Sequence, residues 1–390
     1  MKPKSAKKAM KPKSAKKKYG AAPTRFRRYD LLPDDALRLI FSKTSFVDQI
    51  QLKLVCKSWK KLLDEGDIRS ANILPWKMFY SWQRVADDQG LVEGLCKLYD
   101  PSHRKTYTLE DGITKRGPEA THKFVGAEIL ESKYGFVLFQ KRTSFGSLFL
   151  YCPFTSEVID LPKLERHATL ATFSSNPTSA DCLFFALRMG GSAAMDSISI
   201  SLCRRGDHAW KTIQVLDSIT GSYLLRGVAY SNGAFFCLFE YGQLGAFNVA
   251  TERWDLLFSE KWQSCYYPFE SDGRLFSVQY THGFRISRFD FSSRNWVQGA
   301  SRKDLAAFPQ HDSYSSMLIP AVGEATQLGG TLNTIFPTTG VKHYSFRTYD
   351  YLPLLNAYSK TKLSSGMSSV WIQPPKYASF LLAQSLLMFS

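Results

Sequence analysis

The chain has seven histidines (His103, His122, His167, His208, His282, His311 and His343) and seven cysteines (Cys56, Cys96, Cys152, Cys182, Cys203, Cys237 and Cys265) with which to bind a metal or attack an electrophile. Neither set is spaced for that chemistry. No two histidines stand four residues apart around a carboxylate, as a helix-borne zinc site requires. The cysteines come no closer to one another than about twenty residues, too far apart for a zinc-binding or redox pair. There is no glycine-rich loop ending in Gly-Lys-Ser/Thr and no Gly-x-Ser-x-Gly elbow, and Gly190-Gly191 and Gly329-Gly330 read as turn pairs. Several cysteines sit in apolar runs, which predicts small buried thiols in a reducing compartment and no disulfide framework. The expectation is a chain with no catalytic apparatus, cofactor or metal.

Charge is unevenly placed. The formal net charge is +16, and residues 1–28 supply +12 of it with nine Lys, three Arg and no acid, so the other 362 residues are near balance. Within that tail Met-Lys-Pro-Lys-Ser-Ala-Lys-Lys occurs twice, at 1–8 and 10–17. Such a segment cannot form a core, and its like charges repel, so disorder is expected over 1–28. Three readings stand side by side. Lys7, Lys8, Lys16, Lys17 and Lys18 can form a nuclear import signal; the tail can bind nucleic-acid phosphates, weakly and with strong salt dependence; or it is a solubilising extension. Residues 1–18 carry no aromatic ring to stack on bases. No lipid-spanning apolar run of ~18 residues and no secretory leader pattern is found. The expected location is the nucleus, the cytoplasm or both, with no membrane partner.

The elements that follow the tail are helical. Pro33 suits a first helical turn, where its missing N–H costs nothing, and Asp34 and Asp35 place negative charge at the positive end of the helix dipole. Leu37, Ile40 and Phe41 fall at i, i+3 and i+4 on one face. Downstream, Leu52, Val55, Cys56, Trp59, Leu62 and Leu63 keep that spacing for three turns, with lysines opposite. The expectation is an amphipathic helical pair over 29–68. Two small helices cannot bury a sizeable core alone, so a partner covering the apolar face would complete them.

Leu32-Pro33, Leu37, Ile40 and Val55-Cys56-Lys57-Ser58-Trp59 together resemble an F-box. The resemblance implies docking on a Skp-type adaptor, and through it on a cullin, by Leu32, Pro33, Leu37, Ile40, Leu52, Val55, Cys56 and Trp59. It also implies that the chain carries a target protein to an SCF-type ubiquitin ligase and does no chemistry itself.

After an expected linker at 69–95, residues 96–375 read as β-rich. One unit recurs: an apolar strand, a turn of Asp, Asn, Pro or Ser, then a strand resumed by an aromatic or branched residue. Its turns lie at positions 100, 152, 203, 248 and 290. A period near fifty or somewhat less with several short strands per repeat is the pattern of a propeller blade. Five units, with a sixth around His343–Asp350, predict about six blades. The fold class expected is thus a small all-α module followed by a large all-β propeller. Pro75-Trp76, Trp254, Trp296 and Trp371-Ile372-Gln373-Pro374 resemble the kelch-related β-domain that follows the F-box in plant proteins. Most of the aromatics are expected to pack between blades. Target contacts are expected on loops such as Lys141–Phe145, Met189–Ser192 and Tyr266–Phe269. The apolar end, 376–390, is expected to close the propeller, to pack on the helical module, or to bind a partner. Two other functions remain open: a nucleic-acid-associated nuclear protein acting through its basic tail, and a propeller that senses a ligand or catalyses a reaction at its central channel.

Overall fold

The computed structural model describes residues 32–65 apart from 45, and residues 75–298 apart from 86–89, 101–104, 110–115, 120–121, 143–145, 191–196, 217–223, 259–266, 272 and 281–283. It also describes 305–309, 316–320 and 368–374. The basic tail, the sixth unit at His343–Asp350 and the apolar end 376–390 lie outside the described residues.

Three helices come first: α1 (Asp34–Ser42), α2 (Phe46–Leu52) and α3 (Lys57–Glu65). The expected unbroken helix from Leu52 to Leu63 is therefore corrected. The chain turns at 53–55, where Leu54 N donates to Gln51 O and Val55 N to Leu52 O. It restarts from Cys56, whose carbonyl accepts the N–H of Lys60. No Gly or Pro marks this break. Tertiary contacts hold it: Lys53 Nζ meets Asp64 Oδ1 at 2.8 Å, and Gln49 Nε2 donates to Phe41 O at 3.0 Å.

The strands form six sheets among the described residues. The first contains β1 (Trp76–Arg84), β2 (Leu91–Asp100), β3 (Lys105–Leu109) and the short β4 (Gly117–Pro118). The second is β5 (Ala127–Lys133), β6 (Phe136–Arg142), β7 (Gly146–Cys152) and β8 (Glu157–Asp160). The third is β9 (Leu170–Phe173), β10 (Leu183–Met189), β11 (Ser197–Arg204) and β12 (Lys211–Leu216). The fourth is β13 (Leu225–Ser231), β14 (Ala234–Phe239), β15 (Leu244–Asn248) and β16 (Arg253–Phe258). The fifth is β17 (Tyr267–Ser271), β18 (Arg274–Tyr280), β19 (Phe284–Asp290) and β20 (Asn295–Gln298). A hairpin of β21 (Leu305–Pro309) and β22 (Ser316–Pro320) makes the sixth, and β23 (Ser368–Ile372) returns to pair with β1 in the first. The innermost strands β23, β5, β9, β13 and β17 touch in that order. This is a β-propeller, with its first blade completed by the late strand β23.

Alternation along the strands builds the core. Phe235, Cys237 and Phe239 of β14 pack toward the third sheet with Phe185, Leu187 and Ile200. Their neighbours Phe236 and Leu238 face the fifth sheet with Leu275, Phe289 and Trp296. The recurring turn is the hairpin between the third and fourth strands of a blade. Ser156, Glu252 and Arg294 occupy equivalent places in it, all at positive φ. Asn248 and Asp290 brace it by accepting backbone N–H groups two residues on. The hydrogen bond from the Ser293 hydroxyl, with that from the Ser292 N–H, holds the Asp290 carboxyl below the usual carboxylate range. Tryptophans at or near the start of fourth strands reach back: Trp210 Nε1 donates to Pro162 O at 2.7 Å and Trp296 Nε1 to Gly242 O at 2.8 Å. The expected packing of aromatics between blades is what these residues do. The buried thiols Cys96, Cys152, Cys203 and Cys237 are free, and desolvation pushes each of them up from the usual thiol range.

The expected linker at 69–95 is also corrected, because the first sheet begins at Trp76. Strand β1 does not alternate in its first half: Trp76, Met78, Phe79, Tyr80 and Ser81 are all buried. Both faces are covered, so no period of two shows. Trp76 stacks on Tyr107 at 5.2 Å and meets Phe154 edge-on. Val47 of α2 belongs to the same buried cluster as Trp76. Burial, with the charges of Asp100 and Asp48, pushes the Tyr107 phenol up to about 12. The helical module is thus seated on the first blade.

Closure through β23 can be tested by Ile372→Ala, which removes a side chain with no solvent exposure. It is expected to destabilise the β-domain by about 2–5 kcal/mol and to lower its thermal midpoint. An unchanged midpoint would contradict β23 as the closing strand.

Candidate functional site

The helical module divides its apolar residues between two sides. Leu37, Phe41, Leu62 and Leu63 form its small core, with Leu52 and Trp59 packed against them. Phe41 is 1% exposed and meets Trp59 edge-on at 5.2 Å. Outside that core stand Leu39 at 65% exposure, Val55 at 52%, Ile40 at 48%, Leu54 at 41% and Leu32 at 40%. These are five of the ten large apolar residues exposed among the described residues, so the short helical module holds half of them. Monomers rarely leave such surface bare without an interaction to make.

The eight residues expected to dock the adaptor therefore fall into two groups. Leu32, Pro33, Ile40 and Val55 are exposed. Pro33 caps α1, its carbonyl accepting the N–H of Leu37 at 3.1 Å. Leu37 is buried inside the module, and Leu52, Cys56 and Trp59 are half-buried. Leu37 thus holds the fold of the module, and Trp59 does so in part. Periodicity could not separate the two sides, because Leu37, Leu39, Ile40 and Phe41 encircle α1. Leu39 was missed for that reason, and Leu54 because it lies in the turn between α2 and α3 that the helical spacing did not reveal.

The β-domain offers two concavities. One, of about 220 Å3, lies where the innermost strands end and is lined by Glu131, Lys133, Tyr134, Tyr230 and Phe269. There a register shift in β5 places the buried Glu131 carboxylate 3.1 Å from both Lys133 Nζ and Thr172 Oγ1. Lys133 Nζ also donates to Thr172 Oγ1 at 2.8 Å, closing a satisfied triad. Pro268 and Phe269 border it; the expected loop at 266–269 is corrected there, since both are buried residues of strand β17. The other concavity, of about 190 Å3, opens beside the third blade and includes Arg188 and Trp210. The remaining parts of the proposed loops at 143–145, 191–192 and 266 lie outside the described residues, as do Lys7, Lys8, Lys16, Lys17 and Lys18.

Residues 98–350 match the family model described as the KIB1-4 beta-propeller, and residues 30–69 match the F-box domain. The chain belongs to the F-box proteins that carry a KIB1-4 β-propeller. The F-box protein At3g56470 of Arabidopsis thaliana is 26% identical over 363 residues, 90% of each chain. The F-box protein At1g49360 of the same plant is 31% identical over 232 residues, 58% of this chain and 44% of the relative. The F-box/kelch-repeat protein At1g57790, also of Arabidopsis thaliana, is 27% identical over 228 residues, 58% of each chain. This chain thus spans about half the length of the latter two relatives. The expected pairing of an F-box with a plant kelch-like propeller is what these matches show.

Phe41→Ala, which removes the ring under Trp59, is expected to cost about 3–5 kcal/mol of module stability. Hydrogen exchange over 34–65 would then accelerate, whereas Ile40→Ser would change protection little. Equal acceleration in both variants would contradict the division into inner and outer sides.

Proposed function

We propose that this protein is the non-catalytic substrate-recognition subunit of an SCF-type ubiquitin ligase. The outer side of its F-box helices docks on a Skp-type adaptor and, through it, a cullin. The propeller holds a target protein for ubiquitination. The observation that carries the reading is the concentration of Leu32, Leu39, Ile40, Leu54 and Val55 on the outside of a module whose own core, among the described residues, is Leu37, Phe41, Leu62 and Leu63. An apolar partner surface would bury that excess at roughly 25 cal/mol per Å2. Val47 of α2 shares the buried cluster of the first blade, which supports the mechanism. A target held by the propeller would stand at a defined position relative to the docked adaptor, and tethering makes transfer nearly intramolecular.

The lysine repeats supply a second element of the proposal. Their composition suits an import signal, which supports a location in the nucleus, the cytoplasm or both. The alternative role of the tail in holding nucleic acid is motivated by the same charge.

Ile40→Asp combined with Val55→Asp puts two charges on the outer side and none in the core. Copurification with a Skp-type adaptor should weaken by more than about a hundredfold, with hydrogen-exchange protection of the helices retained. A stoichiometric complex formed by the folded double variant would refute the docking face.

A further inference from the structure

One face of the third blade turns polar along part of its length. In β11 the run Ser197-Ile198-Ser199-Ile200-Ser201 alternates hydroxyl and branched side chains. Its isoleucines join the buried cluster shared with the fourth blade. The opposite face meets the second blade and changes character along its length. At one end Phe173, Phe184 and Cys203 are paired across the strands and buried in the inter-blade core. At the other end the cross-strand rows become Ala186–Ser201–Thr212 and then Arg188–Ser199–Gln214. Apolar packing between blades gives way there to an open polar cleft of about 190 Å3.

The opposite wall is the connector from β8 to β9, which brings Lys163, Arg166 and His167 to the cleft. It is held in place at several points. Trp210 grips Pro162 O. Leu164 N donates to Gly146 O at 2.8 Å. The buried Gln140 amide both donates to Ala168 O at 3.2 Å and accepts from Ala168 N at 2.9 Å. Gly146 is required for this approach, since a Cβ there would lie 2.7 Å from the Arg166 carbonyl. The basic side chains are therefore mounted on a fixed support, which lowers the ordering cost of binding.

Three of the charged groups in the cleft, Lys163, Arg166 and Arg188, are donors. Among the described residues Lys163, Arg166 and Arg188 make no ion pair, and Glu165 is the one acid lining the cleft. Ser199 Oγ accepts from Gln214 Nε2 at 3.1 Å, so its own O–H proton stays available to donate. His167 Nδ1 is buried without a hydrogen-bond partner. The volume is below the ~300 Å3 at which sites for whole small molecules begin. It suits one anionic group.

We propose that this cleft receives an anionic side chain, a phosphorylated or acidic residue, of an extended peptide segment in the target protein. Arg188 and Arg166 would clamp the anion from the two walls, since guanidinium forks match phosphate and carboxylate oxygens. Ser199 would donate from the sheet. The inference deepens the proposed function and rests on the propeller being its target-binding part.

The test uses the full chain and short fluorescein-labelled Gly/Ala peptides carrying one phosphoserine, one glutamate or one serine at the same place, with a single-stranded DNA oligonucleotide as a further probe. Anisotropy should report salt-sensitive binding of the phosphoserine peptide, weaker binding of the glutamate peptide and none of the serine peptide. Arg166→Gln with Arg188→Gln should weaken phosphopeptide binding by about tenfold or more. Lys163→Gln with Arg166→Gln, both on the exposed connector, should weaken it in the same direction with the thermal midpoint unchanged. No binding by the wild-type chain, or equal binding by the arginine variant, would overturn the proposal. So would preferential DNA binding lost in that variant, which would assign the cleft to nucleic acid. Adaptor copurification on the same samples separates the two readings: peptide failure with the adaptor complex intact sinks the cleft alone, and loss of both would count against the receptor reading as well.

Discussion

The pairing of Ser368–Ile372 with Trp76–Tyr80 is the constraint on which the other parts of the molecule depend. A ring of sheets exposes strand edges unless its first and last blades are joined, and here one sheet contains strands from both ends of the domain. The register sets Lys77 opposite Trp371, with the ammonium 4.8 Å from the indole centroid. Val370 and Ile372 enter the same buried cluster as Trp76, Met78 and Tyr80. Tyr80 then carries the connection to the second blade, donating to Ala127 O at 2.9 Å and meeting Phe139 edge-on. Because Val47 of α2 belongs to that cluster too, the strand that receives the closure also seats the helical module.

That seating gives the helices a division of labour. A three-helix segment of this size has too little interior to stabilise itself. It uses Leu37, Phe41, Leu62 and Leu63 for a minimal core and Val47 for attachment to the first blade. What remains, from Leu32 through Ile40 to Val55, faces outward. Membership in the F-box family gives this surface a natural reading as the side turned to an adaptor.

Much of this was legible in the residues. Pro33-Asp34-Asp35 and the spacing of Leu37 and Phe41 mark α1, and the recurring hairpin turn marks the blades, with a positive-φ residue at Ser156, Gly206, Glu252 and Arg294. The parts that were not legible have physical reasons. The break at 53–56 has no helix-breaking residue and is held by the Lys53–Asp64 pair and by Gln49. The strand β1 looked like a linker because burial on both faces removes its alternation, and its partner β23 lies at the far end of the chain. Leu39 and Leu37 share a helix two residues apart, and only packing decides which turns inward. The basic cleft joins an alternation visible in Ser197–Ser201 to a connector that nothing in the local sequence ties to it.

The central claim is that a partner covers the outer side of the helices. Hydroxyl-radical footprinting of the full chain, alone and with a Skp-type adaptor, tests it most directly by reading side-chain oxidation at Leu32, Leu39, Ile40, Leu54 and Val55. The account predicts that oxidation of these five residues falls sharply in the complex, while that of the exposed propeller residues Tyr134 and Phe291 is unchanged. Unaltered oxidation of the five residues in a stoichiometric complex would contradict it.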